Sequence, residues 1–160
     1  MKIKVGFGFD VHQLKENHPF ILGGVKLDHH SGAFGHSDAD VVLHAICDAL
    51  LGAANLGDIG YHFSNKDDRW KGISSLLLLE KVVEMLAERK YAIGNIDVMI
   101  TLEAPKINPH IPQMRRNIAL SMGVTEDDIS IKATTNEQMG FIGRQEGVVA
   151  YAVCLIEKLT

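Results

Sequence analysis

The chain has 160 residues, 46% of them hydrophobic and 22% charged, with a net charge of −4. Those values suit one folded domain over residues 1–160, and the acidic balance without any basic run excludes a general nucleic-acid binder. The start, MKIKVGFGFD, lacks an apolar stretch followed by a cleavage site, and no apolar run approaches bilayer length; a cytoplasmic protein without a membrane partner is expected.

Ile3 to Phe9 alternates apolar with small or polar residues and predicts a strand. Phe20 to Leu27 holds Gly23-Gly24 between short apolar pieces, a hairpin pattern. Residues 28–37, rich in His, Gly and Ser, read as a loop. Ser37-x-x-Asp40 predicts a helix start, with Gly52 and Asn55 marking its end. Gly57 to Gly72 is polar and without periodicity, a loop of functional length. Ser74 to Lys90, free of Gly and Pro, predicts a helix. Asn95 to Leu102 alternates again as a strand. Asn108-Pro109 opens a helix that stops at Gly123. Ile129 to Ala133 and Val148 to Ile156 complete the strands. Cys47 and Cys154 form no CxxC pair and sit in apolar runs, as reduced core residues do.

The last strand, VVAYAVCLI, is apolar at every position, the pattern of a strand buried on both faces. Three helices can cover one face of a small sheet. Nothing is left in the chain for the other, so a second copy is expected there. The competing reading is a tightly wrapped monomer.

Four constellations carry chemistry. In Asp10-Val11-His12, residues i and i+2 of a strand point the same way, so the two side chains reach one point. His44, in the run HSDADVVLH, is the best third ligand. Asp, His and His give the mixed O and N ligation suited to Zn²⁺, with a fourth position open. Asp48, one helical turn beyond His44, is placed to hold the other imidazole nitrogen. The alternative is that Asp10 ends a strand and the histidines are incidental. Second, His36-Ser37-Asp38-Ala39-Asp40 puts polar groups at a helix start, where they meet an anion or merely cap the helix. Third, Ala104-Pro105-Lys106-Ile107-Asn108-Pro109 is a loop stiffened by two prolines, with a cation. It suits a nucleobase or a diphosphate, or is a solvated connector. Fourth, Thr134, Thr135, Asn136 and Glu137 precede Gly140-Phe141-x-Gly143-Arg144. The hydroxyls suit phosphate oxygens, Glu137 suits Mg²⁺, and Arg144 suits a further anion; all are also ordinary turn residues. Gly6-x-Gly8 is rejected as a dinucleotide fingerprint, since Val11 stands at the third glycine position and no helix follows at once.

The stretches GFGFDVH, GHSDADVVLHAICDALLGAANLGDIG, APKINPHIPQM and IKATTNEQMGFIGRQEG, in this order and register, resemble the 2-C-methyl-D-erythritol 2,4-cyclodiphosphate synthase family over the whole chain. The resemblance implies that Asp10, His12 and His44 hold Zn²⁺ and that His36 and Thr135 stabilise the transition state. It implies further substrate contacts from Asp10, His12, His36 and Ser37. Asp58, Ile59 and Gly60 match a substrate-binding turn. Phe63, Ser64, Asn65, Lys66 and Asp67 match a flexible loop, where Ser64 and Asn65 depart from the family's usual Phe-Pro-Asp. Leu102, Glu103, Ala104, Pro105, Lys106, Ile107 and Asn108 match a cytidine pocket. Thr134, Thr135, Asn136 and Glu137 match the diphosphate site, with Mg²⁺ or Mn²⁺ on Glu137.

The implied fold is α+β, a single-domain sandwich of a mixed four-stranded sheet with helices on one face. The implied homotrimer buries the other face and has active sites between subunits. The implied substrate is a cytidine diphosphate compound, whose 2-phosphate attacks the β-phosphorus and expels CMP. Phe9, Phe141, Arg144 and Glu146 suggest an isoprenoid diphosphate site on the trimer axis. A metal-dependent phosphohydrolase and a non-catalytic binding trimer are the competing readings.

Overall fold

The computed structural model describes residues 2–160. In chain order the elements are β1 (Ile3–Glu16), β2 (Phe20–Leu22), β3 (Val25–Leu27), β4 (Ser31–Phe34), α1 (Val41–Ala54) and α2 (Ile59–His62). Then follow α3 (Ser75–Glu88), β5 (Tyr91–Thr101), α4 (Ile111–Met122), β6 (Ile129–Thr134), α5 (Gly140–Gly143) and β7 (Gly147–Lys158).

The main sheet has five strands in the order β4-β1-β7-β5-β6, and only β5 and β6 run parallel. The expected four-stranded sheet is therefore corrected to five. The added strand, β4, falls in the stretch read as a loop. Its four residues carry no alternation, and what makes it a strand is the reach of β1, whose far half pairs Gln13–Glu16 with Phe34–Ser31. The β2–β3 hairpin forms as read, with Gly23 and Gly24 at φ 56° and 71°, a backbone region glycine enters freely.

α1 starts three residues later than Ser37 suggested. Ala39 at φ 57° interrupts any helix from Ser37, and Asp40 is the N-cap, accepting from the Val42 and Leu43 amides. Asp40 also accepts from the Gly23 and Gly24 amides at 3.0 and 2.7 Å, which ties the hairpin to the helix start. Its carboxyl is wholly buried, and burial raises its pKa to about 6 against the pull of those amides. Asn55, in the left-handed conformation, ends the helix, while Gly52 lies within it.

α1 is apolar nearly all round because it is the central helix, packed on β1 and β7 below and on α3 above. His44, Asp48 and Gly52, spaced four apart, make its one line of less buried positions. Gly6 and Gly8 of β1 let it approach so closely: a Cβ there would stand 1.8 Å from the Ala49 carbonyl oxygen and 1.9 Å from that of Ala45. The glycine pair thus serves helix-on-sheet packing.

The residues between these glycines point the other way. Ile3, Val5, Phe7, Phe9 and Val11 of β1 and Tyr151, Val153 and Leu155 of β7 form one exposed apolar face, opposite the helices. Phe9 lies 5.3 Å, ring to ring, from Tyr151. So continuous an apolar surface marks an interaction site.

Candidate metal centre and active site

β1 carries Asp10 and His12 on its helix-facing side, and the first turn of α1 places His44 above them. The Asp10 Oδ2 lies 3.0 Å from His12 Nε2 and 3.0 Å from His44 Nδ1, and the two nitrogens are 3.3 Å apart. Among the described residues this is the one group of three such side chains close enough to share a metal ion, an arrangement consistent with a divalent metal site. Burial opposes charge on Asp10, yet hydrogen bonds from His12 and His44 outweigh it and hold the carboxyl down at about 2. Burial likewise works against a charged His12, but Asp10 beside it raises the ring's pKa. His12 Nδ1 is 3.1 Å from the Phe34 carbonyl oxygen. A Cβ on Gly35 would stand 2.9 Å from His12 Cε1, so glycine there leaves room for the ring.

The expected role of Asp48 is corrected. Its carboxylate accepts from the Ile59 amide at 2.8 Å and so holds the start of α2. The outer nitrogen of His44, Nε2, lies 2.8 Å from Ser75 Oγ and 3.1 Å from Ser37 Oγ. Ser75 gave no sequence signal beyond starting a helix. It becomes visible only when α3 packs against α1.

His36, Ser37, His44, Ile59, Gly60, Phe63 and Asn65 line one cavity of about 130 Å³, together with Trp70 and Leu78, which sequence reasoning missed. Asp58 caps α2, accepting from the Tyr61 amide at 2.8 Å. Ser64 accepts from the Lys66 amide at 3.2 Å, Lys66 is exposed, and Asp67 forms a two-pronged pair with Arg69. The loop thus supplies its own turn bonds.

A second cavity, of about 410 Å³, is lined by Leu102, Glu103, Pro105, Lys106, Ile107, Asn108, Thr134 and Thr135. Ala104 joins Pro105 through a cis peptide bond. Glu103 faces inward to accept from the Asn136 and Gln138 amides at 3.0 Å each, fixing the turn after β6. Thr135 Oγ1 donates to Glu137 at 3.3 Å within that turn. A third hollow, of about 260 Å³, includes Val11, His12, Phe141 and Glu146. Beside it, Arg144 pairs with Glu146 at 2.9 Å.

His36 and Thr135 therefore line different cavities. β1 and β6 are separated by β7 and β5, three strand spacings or roughly 14 Å.

The family model described as YgbB family matches residues 3–157. The chain is 59% identical over 158 residues to 2-C-methyl-D-erythritol 2,4-cyclodiphosphate synthase of Cytophaga hutchinsonii, covering 99% of each. It is 52% identical to the protein of that name from Thermosynechococcus vestitus, covering 98% of each. The structure of bifunctional IspDF from Campylobacter jejuni superposes with a TM-score of 0.95 at 38% identity, over 99% of this chain and 43% of that one. The CDP complex of IspF from Plasmodium falciparum gives 0.87 at 30% identity, over 99% and 97%.

Proposed function

The chain belongs to the YgbB family, that of the 2-C-methyl-D-erythritol 2,4-cyclodiphosphate synthases, and on that premise we propose how its residues do the chemistry. It converts 4-diphosphocytidyl-2-C-methyl-D-erythritol 2-phosphate into 2-C-methyl-D-erythritol 2,4-cyclodiphosphate and CMP, a step of non-mevalonate isoprenoid precursor synthesis. We assign it as a phosphorus–oxygen lyase.

The observation that carries the mechanism is the triangle of Asp10, His12 and His44. Ligand bonds of 2.0–2.1 Å at tetrahedral angles put neighbouring ligand atoms roughly 3.3 Å apart. The three separations here are 3.0, 3.0 and 3.3 Å, one face of such a tetrahedron with its fourth corner open. The donor set and spacing fit Zn²⁺. When bound there, the ion supplies Lewis acidity and a template for phosphate oxygens. Glu137, exposed at a turn beside the Thr135 hydroxyl, suits a Mg²⁺ or Mn²⁺ completed by substrate phosphates.

The nucleophile is already an anionic phosphate, so the site needs no strong general base. The residues bind, orient and donate hydrogen bonds. In this reading the stiff loop around Lys106 holds the cytidine end, and the Thr134 and Thr135 hydroxyls and His36 donate to phosphate oxygens as charge redistributes. Positioning of this kind supplies up to about 7–11 kcal/mol in the best intramolecular cases.

The oligomer belongs to the same reading. Strands β1 and β6 lie roughly 14 Å apart in the sheet, and His36 and Thr135 line different cavities, which supports a site completed between subunits. A homotrimer that covers the apolar face of β1 and β7 would set the Thr135 turn of one protomer against the metal centre of its neighbour. An isoprenoid diphosphate on the axis is supported by Phe9 and Phe141, both exposed in the protomer. Arg144 would have to exchange Glu146 for the ligand's diphosphate.

Elemental analysis tests the metal assignment: one zinc per chain is expected, and His44→Ala should lose both zinc and CMP release. Full zinc occupancy in that variant would overturn the ligand set.

A further inference from the structure

We propose that Ser75 is a positioning residue of the metal centre, fixing His44 in the tautomer that presents Nδ1 to the ion. The inference rests on the reading of Asp10, His12 and His44 as metal ligands.

A neutral imidazole has one donor nitrogen and one acceptor, and which is which follows from the partner on the far side of the ring. His44 Nδ1 faces Asp10 and His12, while Nε2 faces Ser75 Oγ at 2.8 Å. Ser75 is wholly buried, and its own hydroxyl donates to the Asp38 carboxylate. Having given its proton away, Ser75 Oγ offers His44 only lone pairs. Nε2 then carries a ring proton whether or not Nδ1 is donating to Asp10, so it is Nδ1 that turns its lone pair to a bound ion.

Asp38 is itself held on both oxygens. Oδ2 accepts from the Ser75 amide at 2.9 Å, and Oδ1 accepts from the Asp40 amide at 3.2 Å. Ser74, at the N-cap position of α3, makes no side-chain cap bond, so Asp38 from the loop before α1 caps that helix instead. The direction of the hydrogen bonds is thus locked from Asp38 outward to Ser75 and His44. Ser37 gives no such direction. It is only partly buried, lies farther from Nε2 at 3.1 Å, and its Oγ accepts weakly from the Ala39 amide at 3.3 Å, so its proton can turn either way.

His12 shows the complementary arrangement. Its Nδ1 faces the Phe34 carbonyl oxygen, which can only accept, so Nε2 is left to ligate. The two rings are held in opposite tautomers by partners outside the ligand triangle, as outer groups commonly hold metal-binding histidines.

The test uses zinc-loaded full-length protein, labelled with ¹⁵N in histidine. Long-range proton–nitrogen correlation should show the His44 ring proton on Nε2, with Nδ1 on the metal. A ring proton on Nδ1, with Nε2 on the metal, would overturn the proposal, even if no Ser75 variant folds. Zinc affinity is then measured by competition with a chromophoric chelator. Ser75→Ala should weaken it by about 10–100-fold, with less loss from Ser37→Ala. Unchanged affinity in Ser75→Ala, or an equal loss in Ser37→Ala, would overturn the assignment. If the wild type itself binds no zinc, it is the metal reading that fails, a result separate from a wild type that binds and a Ser75→Ala that binds equally.

Discussion

Replacing Gly8 by alanine should damage the metal centre without touching a ligand. The added Cβ would sit 1.9 Å from the Ala45 carbonyl oxygen and 2.7 Å from the Ala49 amide nitrogen. Both are backbone atoms of α1, so no side chain can swing aside, and the helix and β1 must part by more than 1 Å to restore ordinary contact. Overpacking costs about 1–3 kcal/mol in typical cores. A clash between two backbones belongs at the top of that range, about 3 kcal/mol. With a urea slope of about 2 kcal/mol/M, the unfolding midpoint should fall by roughly 1.5 M.

The same displacement carries His44, the neighbour of Ala45, away from Asp10 and His12. Metal–ligand distances tolerate only about 0.2 Å, so zinc occupancy should fall more steeply than stability. Gly52→Ala is the control. Nothing lies within 4 Å of a Cβ at that position, and it sits in the interior of α1. It should stabilise the protein by about 0.5–1 kcal/mol and keep zinc unchanged. Urea unfolding and elemental analysis of both variants make the comparison. A Gly8→Ala protein with full zinc and a midpoint within about 0.3 M of wild type would refute the packing argument.

Asp40→Ala should cost at least about 3 kcal/mol in urea unfolding, because four amides, those of buried Gly23, Val42 and Leu43 and of partly buried Gly24, lose their acceptor together; a loss under about 1 kcal/mol would show the hairpin tie to be dispensable. Thr135→Ala and His36→Ala should lower kcat more than they weaken CDP binding, measured by steady-state kinetics and calorimetry. A loss confined to CDP affinity would move both residues to a binding role. Phe7→Asp places a charge at the centre of the open apolar face, paired in register with Val153. If the proposed homotrimer uses this face, light scattering should report a trimer for the wild type and single chains for Phe7→Asp; a trimer in both would show that assembly uses another surface.

Much of this was legible because it is local. The i, i+2 spacing of Asp10 and His12, the Gly23-Gly24 turn and the periodicity of α3 each depend on a few neighbouring residues. The all-apolar last strand was expected to be buried on both faces; its outer side chains, Tyr151, Val153 and Leu155, stand exposed, and their cover by a second copy rests on the proposed oligomer. What stayed hidden depends on contacts between distant segments. β4 exists because β1 runs on past His12, a partnership that the sequence SGAF does not announce. Asp48 had the right spacing for His44, but the Ile59 amide competes for it, and Ser75 arrives from 31 residues away. The glycines of β1 looked like a broken nucleotide fingerprint, and their purpose appears only with α1 laid against them.

The measurement closest to the central claim is turnover of the diphosphocytidyl substrate in H₂¹⁸O with Mg²⁺, followed by phosphorus NMR. Intramolecular attack by the 2-phosphate predicts release of CMP together with a cyclic diphosphate that carries no ¹⁸O. Label in a phosphate of the products, or CMP released with a linear product, would show that water is the nucleophile and contradict the account.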